Sequence, residues 1–308
     1  MQYKVKDYTL ETIVGEGAFG KVYKASKKMP DGTTELFAIK VISKENISQQ
    51  SIEMVISEFE IGRKIQKHKN LVGIIDSIQT SSNYYMVFEY CDIGSLKKYL
   101  ESKELISEKQ AHQFICDINA GYSFLHKIHI VHRDIKADNI LLKTEKDGSL
   151  CAKISDYGLS KSLVYSGPMT KIILPESVGT PIYMSPELLS QTGSNYQSDI
   201  FAIGILYYYM IFREYPFPAA SRKELAAKYD KGAFIMDTSK INVYSAEFIL
   251  GTMQYSIKTR YKSEHLKSCA LFGLPYDLLT PFKVKGPREF NIKKVYKLNS
   301  TGNDLIEC

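Results

Sequence analysis

Residues 131–142 read VHRDIKADNILL and gather an acid (Asp134), a lysine (Lys136) and a primary amide (Asn139) between apolar flanks. Ile130 and Val131 on one side, and Ile140, Leu141 and Leu142 on the other, are aliphatic runs that read as strand edges. A polar loop pinned at both ends to buried strands can aim its side chains at one point. An acid to accept a proton, an amide oxygen for a hard cation and an ammonium for an anion suit phosphoryl transfer. The fold must therefore present this loop at a cleft.

A chain of 308 residues accommodates two modest domains or one domain with two lobes. Its 44% hydrophobic and 24% charged residues are those of an ordinary globular protein, which excludes a disordered or fibrous chain. The net charge of +6 comes from scattered lysines without a long basic block, so no nucleic-acid partner is expected. Five cysteines, an odd number without CxxC spacing, read as reduced thiols of a cytoplasmic protein, with a nuclear location also open. The N-terminal MQYKVKDYTL lacks the apolar core of a signal peptide. The apolar run at 200–212, IFAIGILYYYMIF, is shorter than the roughly 20 residues needed to cross a bilayer. It reads as a helix buried in the core, and no membrane span is expected.

Along the chain, residues 9–25 read as strand, glycine turn, strand, and 36–42 as a strand carrying Lys40. Residues 51–66 have helical spacing, with Val55, Phe59, Gly62 and Ile65 on one stripe. Strands follow near 72–78 and 84–90, and then the polar connector CDIGS. Beyond it the pattern turns helical. Ser107 caps a helix whose face carries Ala111, Phe114, Ile115, Ile118, Tyr122 and Leu125. After the polar loop come a strand at 150–154, an irregular stretch to Glu187, and helices from about 198 and near 224, 247 and 265. The tail after Phe272 has Pro275, Pro281 and Pro287, shows no period, and receives no assignment.

GEGAFGKV at 15–22 places glycines at a hairpin turn, where bare backbone can approach phosphate oxygens. A strand follows this turn, unlike the dinucleotide-binding and Walker-type turns that open a helix. Lys40, on a strand buried on one face, needs a partner or an anionic ligand. Glu58 is the preferred partner, because Ile61, Gly62 and Ile65 then face inward; Glu53 and Glu60 are the alternatives.

In order, GEGAFGKV, AIK, HRDIKADN, DYG and GTPIYMSPE resemble the signature of eukaryotic protein kinases. The resemblance covers about 8–272 and implies an α+β, two-lobed kinase fold. Its expected parts are an antiparallel N-lobe with one key helix (about 8–90), a hinge (about 89–94), a mainly helical C-lobe (about 95–272), and an extension at 273–308 of unassigned role. The cofactors implied are ATP and Mg2+. Gly15, Glu16, Gly17, Ala18, Phe19 and Gly20 would cover the phosphates. Lys40 would hold the α- and β-phosphates while pairing with Glu58. Val22, Ala38 and Leu141 would line the adenine pocket, Phe88 would narrow its back, and the backbone of Glu89, Tyr90 and Cys91 would read the adenine edge. Asp134 would accept the substrate proton, Lys136 would neutralise the γ-phosphate, and Asn139 and Asp156 would hold magnesium. Asp199 would tie down the catalytic loop, and Glu187 would pair with Arg260. Lys136 and Thr180 follow the serine/threonine-specific pattern. The implied function is a protein serine/threonine kinase with protein substrates and regulatory protein partners, and its relatives resemble autophagy-initiating or NIMA-related kinases. The alternative is a pseudokinase scaffold, against which the full set Lys40, Asp134, Asn139 and Asp156 stands.

The sequence departs from the family pattern in places. Tyr157 stands where phenylalanine is commoner, and its hydroxyl needs a partner if buried. Phe201 stands where tryptophan is frequent. Gly62 stands where a larger apolar residue usually braces the helix of Glu58, so either the register differs or that bracing is weak. Arg133, beside the catalytic acid, calls for an anion, and Lys161 stands at the second basic position of related kinases. Glu176 occupies the place often held by a phosphoacceptor. It reads either as a partial phosphate mimic, with less charge and fewer acceptor oxygens, or as a solvated loop residue. Thr170 and Ser177 are candidate phosphorylation sites.

Overall fold

The computed structural model describes residues 3–17, 20–45, 47–65, 68–162, 181–193, 195–279, 286–293, 296–298 and 305–307. Its first part is strand-rich: β1 (Tyr3–Val5), β2 (Tyr8–Gly17), β3 (Gly20–Lys28), β4 (Thr34–Ser43), α1 (Gln49–Lys64), β5 (Ile74–Gln79) and β6 (Asn83–Glu89). The strands form one antiparallel sheet in the order β1-β2-β3-β4-β6-β5. Alternation along β4 divides its side chains between two faces. Phe37 and Ile39 enter a core with Tyr8, Leu10, Tyr85 and Val87 on one face. Ile42 and Met86 pack with Val55 of α1 and Ile74 of β5 on the other. Lys40 lies on this second face, opposite Val22 of β3 and Met86 of β6.

Helix α1 starts where the Ser48 hydroxyl accepts the Ser51 amide, and it ends with Arg63 and Lys64 in the last turn, where cations suit the helix dipole. The sequence register is the observed one, with Val55, Glu58, Ile61 and Ile65 buried. Gly62 is not a gap. A β-carbon there would lie 2.6 Å from Cγ1 of Ile74, so the helix backbone rests directly on that side chain.

A short connector leads to β7 (Gly94–Ser95), α2 (Leu96–Glu101), α3 (Glu108–Lys127), β8 (Ile130–Val131), β9 (Ile140–Thr144), β10 (Leu150–Ile154) and β11 (Lys161–Ser162). The polar loop thus runs between β8 and β9, as its aliphatic flanks require. Next come α4 (Pro186–Leu189), α5 (Tyr196–Phe212), α6 (Arg222–Lys231), β12 (Ala233–Asp237), α7 (Val243–Thr252), α8 (Ser263–Ser268), α9 (Ala270–Gly273), α10 (Tyr276–Leu279) and β13 (Pro287–Asn291). Helix α5 holds the apolar run read from the sequence and is buried nearly all round, against α3 and α7. One continuous core joins these helices to β9 and β10. No described helix is long and apolar enough to cross a membrane.

Two findings lay beyond the sequence reading. Residues 233–237, within a part read as mostly helical, form a strand, and the unassigned tail supplies its antiparallel partner, Phe234 facing Phe290. The tail also meets α3, where the Tyr276 hydroxyl donates to Glu108 Oε2 at 2.9 Å and Leu279 is fully buried.

Candidate active site

The loop between β8 and β9 is held from below by α5. Asp199, in its first turn, accepts the amides of His132 and Arg133, each at 2.7 Å. These bonds fix a loop that the backbone alone would not favour, since Arg133 has φ 72° and Asp156, on the facing segment, φ 65°. Both are left-handed conformations in non-glycine residues, a strain often found at functional sites. The rest of the support comes from His132, which is fully buried. Its Nδ1 accepts the Asp134 amide at 3.3 Å, so Nε2 carries the proton and donates to the Ser155 carbonyl at 3.1 Å.

Above this support the predicted catalytic residues converge. Lys136 Nζ donates to both oxygens of Asp134, at 3.0 and 2.7 Å. Asn139 Nδ2 donates to the Asp134 carbonyl and to its Oδ2, both at 2.8 Å. Burial raises the pKa of Asp134, and Lys136 pulls it back down. Across the cleft, Lys40 Nζ reaches Glu58 Oε2 at 2.6 Å and Oε1 at 2.9 Å. Burial alone would lower the pKa of Lys40, but the charges of Glu58 and Asp156 outweigh it and hold the ammonium above its usual range. Asp156 acts electrostatically on Lys40, Glu58 and Asp134 alike. It is the one exposed residue in the otherwise buried run 151–158.

The segment around Asp156 is anchored on both sides. The ring of Tyr157 meets that of His132 at 5.4 Å, and its hydroxyl donates to the Ile154 carbonyl at 2.7 Å. That bond satisfies the polar group that a buried tyrosine introduces. The Ser57 hydroxyl of α1 donates to the Ser160 carbonyl at 3.0 Å, and the Ser160 hydroxyl donates to the His132 carbonyl at 3.1 Å. Helix, segment and loop are therefore stitched together.

The remaining predicted residues fall around the same cleft. Gly15 and Val22 face each other across the β2–β3 hairpin, as do Glu16 and Lys21, and Gly17 and Gly20. Gly20 has φ 148°, and a side chain there would collide with the Val41 carbonyl, so only glycine fits. Ala18 and Phe19 lie outside the described residues. Ala38 faces Phe88 across β4 and β6, and Leu141 faces Ser95 across β9 and β7. Burial, reinforced by Glu89, pushes the Cys91 thiol up to about 12. Lys161 begins β11, which pairs with β8. Thr170, Glu176, Ser177 and Thr180 lie outside the described residues. Deeper in the C-lobe, Glu187 accepts from Arg260 Nη1 at 2.6 Å and Nη2 at 2.9 Å. The guanidinium stacks 4.9 Å from the ring centre of Phe201, which fills the tryptophan position.

Sequence reasoning missed one further cluster. Glu89, at the end of β6, accepts from Lys143 and Lys153, both at 2.9 Å, and Lys153 also donates to the Lys69 carbonyl at 2.5 Å. Lysines on strands with one side buried were the available signal, the same one that singled out Lys40.

The donor chemistry of the cleft fits a hard cation. Asn139 spends its amide nitrogen on Asp134, which leaves Oδ1 as its ligand atom, and Asp156 accepts only a 3.4 Å bond from Gly158 among the described residues. Two such oxygens, completed by the phosphate of a bound nucleotide, would suit magnesium, which prefers few protein ligands.

Comparisons with known proteins agree with this geometry. Residues 8–272 match the protein kinase domain. Serine/threonine-protein kinase 33 of Bos taurus is 31% identical over 230 residues, covering 73% of this chain and 46% of that protein. Serine/threonine-protein kinase ULK3 of Homo sapiens is 31% identical over 225 residues, covering 73% and 46%. Serine/threonine-protein kinase unc-51 of Caenorhabditis elegans is 31% identical over 238 residues, covering 75% and 27%. The chain thus spans less than half the length of these relatives. With a kinase match running through both lobes and the cleft between them, the chain belongs to the protein kinase family, among serine/threonine kinases with autophagy-kinase-like relatives.

Proposed function

We propose that this chain transfers the γ-phosphate of magnesium-bound ATP to serine and threonine hydroxyls of protein substrates. The observation that carries the reading is the geometry of the cleft, where Lys136 and Asn139 both bond the Asp134 carboxylate and Glu58 grips Lys40 with both oxygens. Glu58 holds Lys40 extended toward the α- and β-phosphates, under the glycine hairpin. Asn139 Oδ1 and Asp156 would hold magnesium, which when bound neutralises charge on the phosphate oxygens. Asp134 accepts the proton of the attacking hydroxyl as its oxygen bonds to the γ-phosphorus and the bridging oxygen leaves with ADP. Lys136, now shared with Asp134, moves its charge onto the phosphoryl oxygens. Positioning and charge stabilisation do most of this work. Labelled ATP offered with a degenerate serine- and threonine-containing peptide library should label the library, and Asp134→Asn should abolish labelling. A wild-type sample with magnesium that labels nothing would overturn the reading.

Regulation belongs to the same proposal. Nε and Nη2 of Arg133 are buried and find no hydrogen-bond acceptor among the described residues, and burial lowers the pKa of this guanidinium to about 10. An anion brought to Arg133 would remove a considerable desolvation cost. Glu176 is our candidate for a basal anion, with Lys161 assisting and Thr170 or Ser177 as stronger phosphorylated donors. Unchanged activity of dephosphorylated protein after Glu176→Gln would eliminate the mimic.

A further inference from the structure

Helix α6 ends at Gly232, in the left-handed conformation at φ 72°, and its last carbonyls need partners. The chain beyond the family match provides them. The Ile292 amide donates to the Gly232 carbonyl at 2.7 Å, and Lys293 Nζ donates to the Asp230 carbonyl at 2.8 Å, placing a cation where the helix dipole is negative. Strand β13 then runs back along β12, directly after the helix. In turn, Ile292 accepts the Tyr255 amide at 2.9 Å, and Phe290 and Ile292 are buried.

From Phe290 a file of aromatic rings crosses the lobe. Phe290 meets Phe234 at 5.9 Å, Phe234 meets Phe217 at 5.5 Å, and Phe217 meets Tyr229 of α6 at 5.2 Å. Tyr229 is buried, and its hydroxyl donates to the Met184 carbonyl at 2.6 Å. Met184 directly follows the turn Pro181–Tyr183, on the chain that leads from the catalytic cleft into α4. Close-packed rings do not deform continuously, so displacement at one end shifts the neighbours or opens a cavity.

We propose that residues 286–293, outside the family match, position the protein-acceptor side of the cleft by capping α6 and bracing Tyr229 against Met184. This tail segment acts on the acceptor and not on the nucleotide, because its contacts run to β12 and the end of α6 and, through the file of rings, to Met184. The inference deepens the kinase reading and rests on it for its kinetic test. Amide exchange tests the coupling without any catalysis.

The experiment uses the full chain with Phe290→Ala, Lys293→Met and Tyr229→Phe, assayed on the strongest acceptor peptide from the degenerate library. Phe290→Ala should raise the peptide KM at least fivefold and leave the ATP KM within twofold. Lys293→Met should do the same more weakly. In Phe290→Ala, amides of 222–237 and 181–189 should exchange at least tenfold faster, with those of α1 unchanged. Tyr229→Phe should raise the peptide KM without loosening β13, and adding Phe290→Ala should then cost less than in the wild type, because the shared link is already cut. Equal changes in both KM values, or unchanged exchange at 181–189, would overturn the proposal. If Phe290→Ala does not fold, Phe290→Leu and Lys293→Met carry the same comparison. If the wild type transfers no phosphate, the kinase reading fails while exchange still decides the coupling.

Discussion

Among the described residues, two ion pairs close at 2.6 Å: Glu187–Arg260 in the C-lobe and Lys40–Glu58 beside the cleft. Their surroundings differ. Arg260 is satisfied throughout its guanidinium, donating also to the carbonyls of Gln254, Gln197 and Tyr255. Its partner is equally settled: burial would raise the Glu187 pKa, but the bonds and charge of Arg260 outweigh it and lower the value. Lys40 is held by both oxygens of Glu58, and the charge of Asp156 also acts on it. Burial dominates at Glu58, raising its pKa despite Lys40. The C-lobe pair is enclosed by carbonyl acceptors, whereas the cleft pair feels a second carboxylate. Distance alone does not separate a stabilising pair from a working one; the remaining partners do.

The strongest way to break this contrast is at Arg260. Arg260→Met strands a buried carboxylate and should cost about 3–5 kcal/mol of stability by denaturant unfolding. The pair also predicts a pH effect. Because the folded Glu187 pKa is depressed, its contribution is present above the unfolded carboxylate range near about 4.3 and is lost as pH falls through the folded value. Arg260→Met should lack that acid-side loss.

Next in size is Lys40→Met, which should slow phosphate transfer about 10²–10³-fold, or about 3–4 kcal/mol in the barrier. Its melting transition should move less than that of Arg260→Met, because Glu58, already raised by burial, can take up a proton. A larger stability loss at Lys40 than at Arg260 would reverse the comparison. Gly62→Ala probes the packing beside the cleft pair. Its methyl must displace Ile74 and should cost about 1–3 kcal/mol, with relief in the Gly62→Ala, Ile74→Val double variant. The smallest effect concerns pH and rate. Lys136 lowers the pKa of Asp134 against burial, so Lys136→Met should move the acid limb of kcat/KM to higher pH. A limb that stays in place would remove Asp134 from the role of titrating base.

What the sequence made legible was chemistry set by local spacing. The strand-edged loop, the glycine hairpin and the helix register that aims Glu58 inward can all be seen within short windows, and the structure has each of them. Gly62 shows the limit of such a window, since the residue that covers it is Ile74, on another element. The β12–β13 pair was invisible for a similar reason. Its strands are far apart in sequence, and PREFN has neither alternation nor β-branched residues to announce a strand. The links from Ser57 to Ser160 and from the two lysines to Glu89 depend on tertiary approach, which spacing alone does not encode.

The hydroxyl of Tyr157 has a consequence for pharmacology. A phenylalanine ring in that pocket is retained by packing alone, whereas this ring is also moored by its bond to the Ile154 carbonyl. An inhibitor that requires the ring to swing out must first break that bond and strand the hydroxyl, although the carbonyl keeps the Val72 amide at 2.9 Å. Such compounds should arrive slowly and bind weakly here, and replacing the tyrosine with phenylalanine would restore their reach.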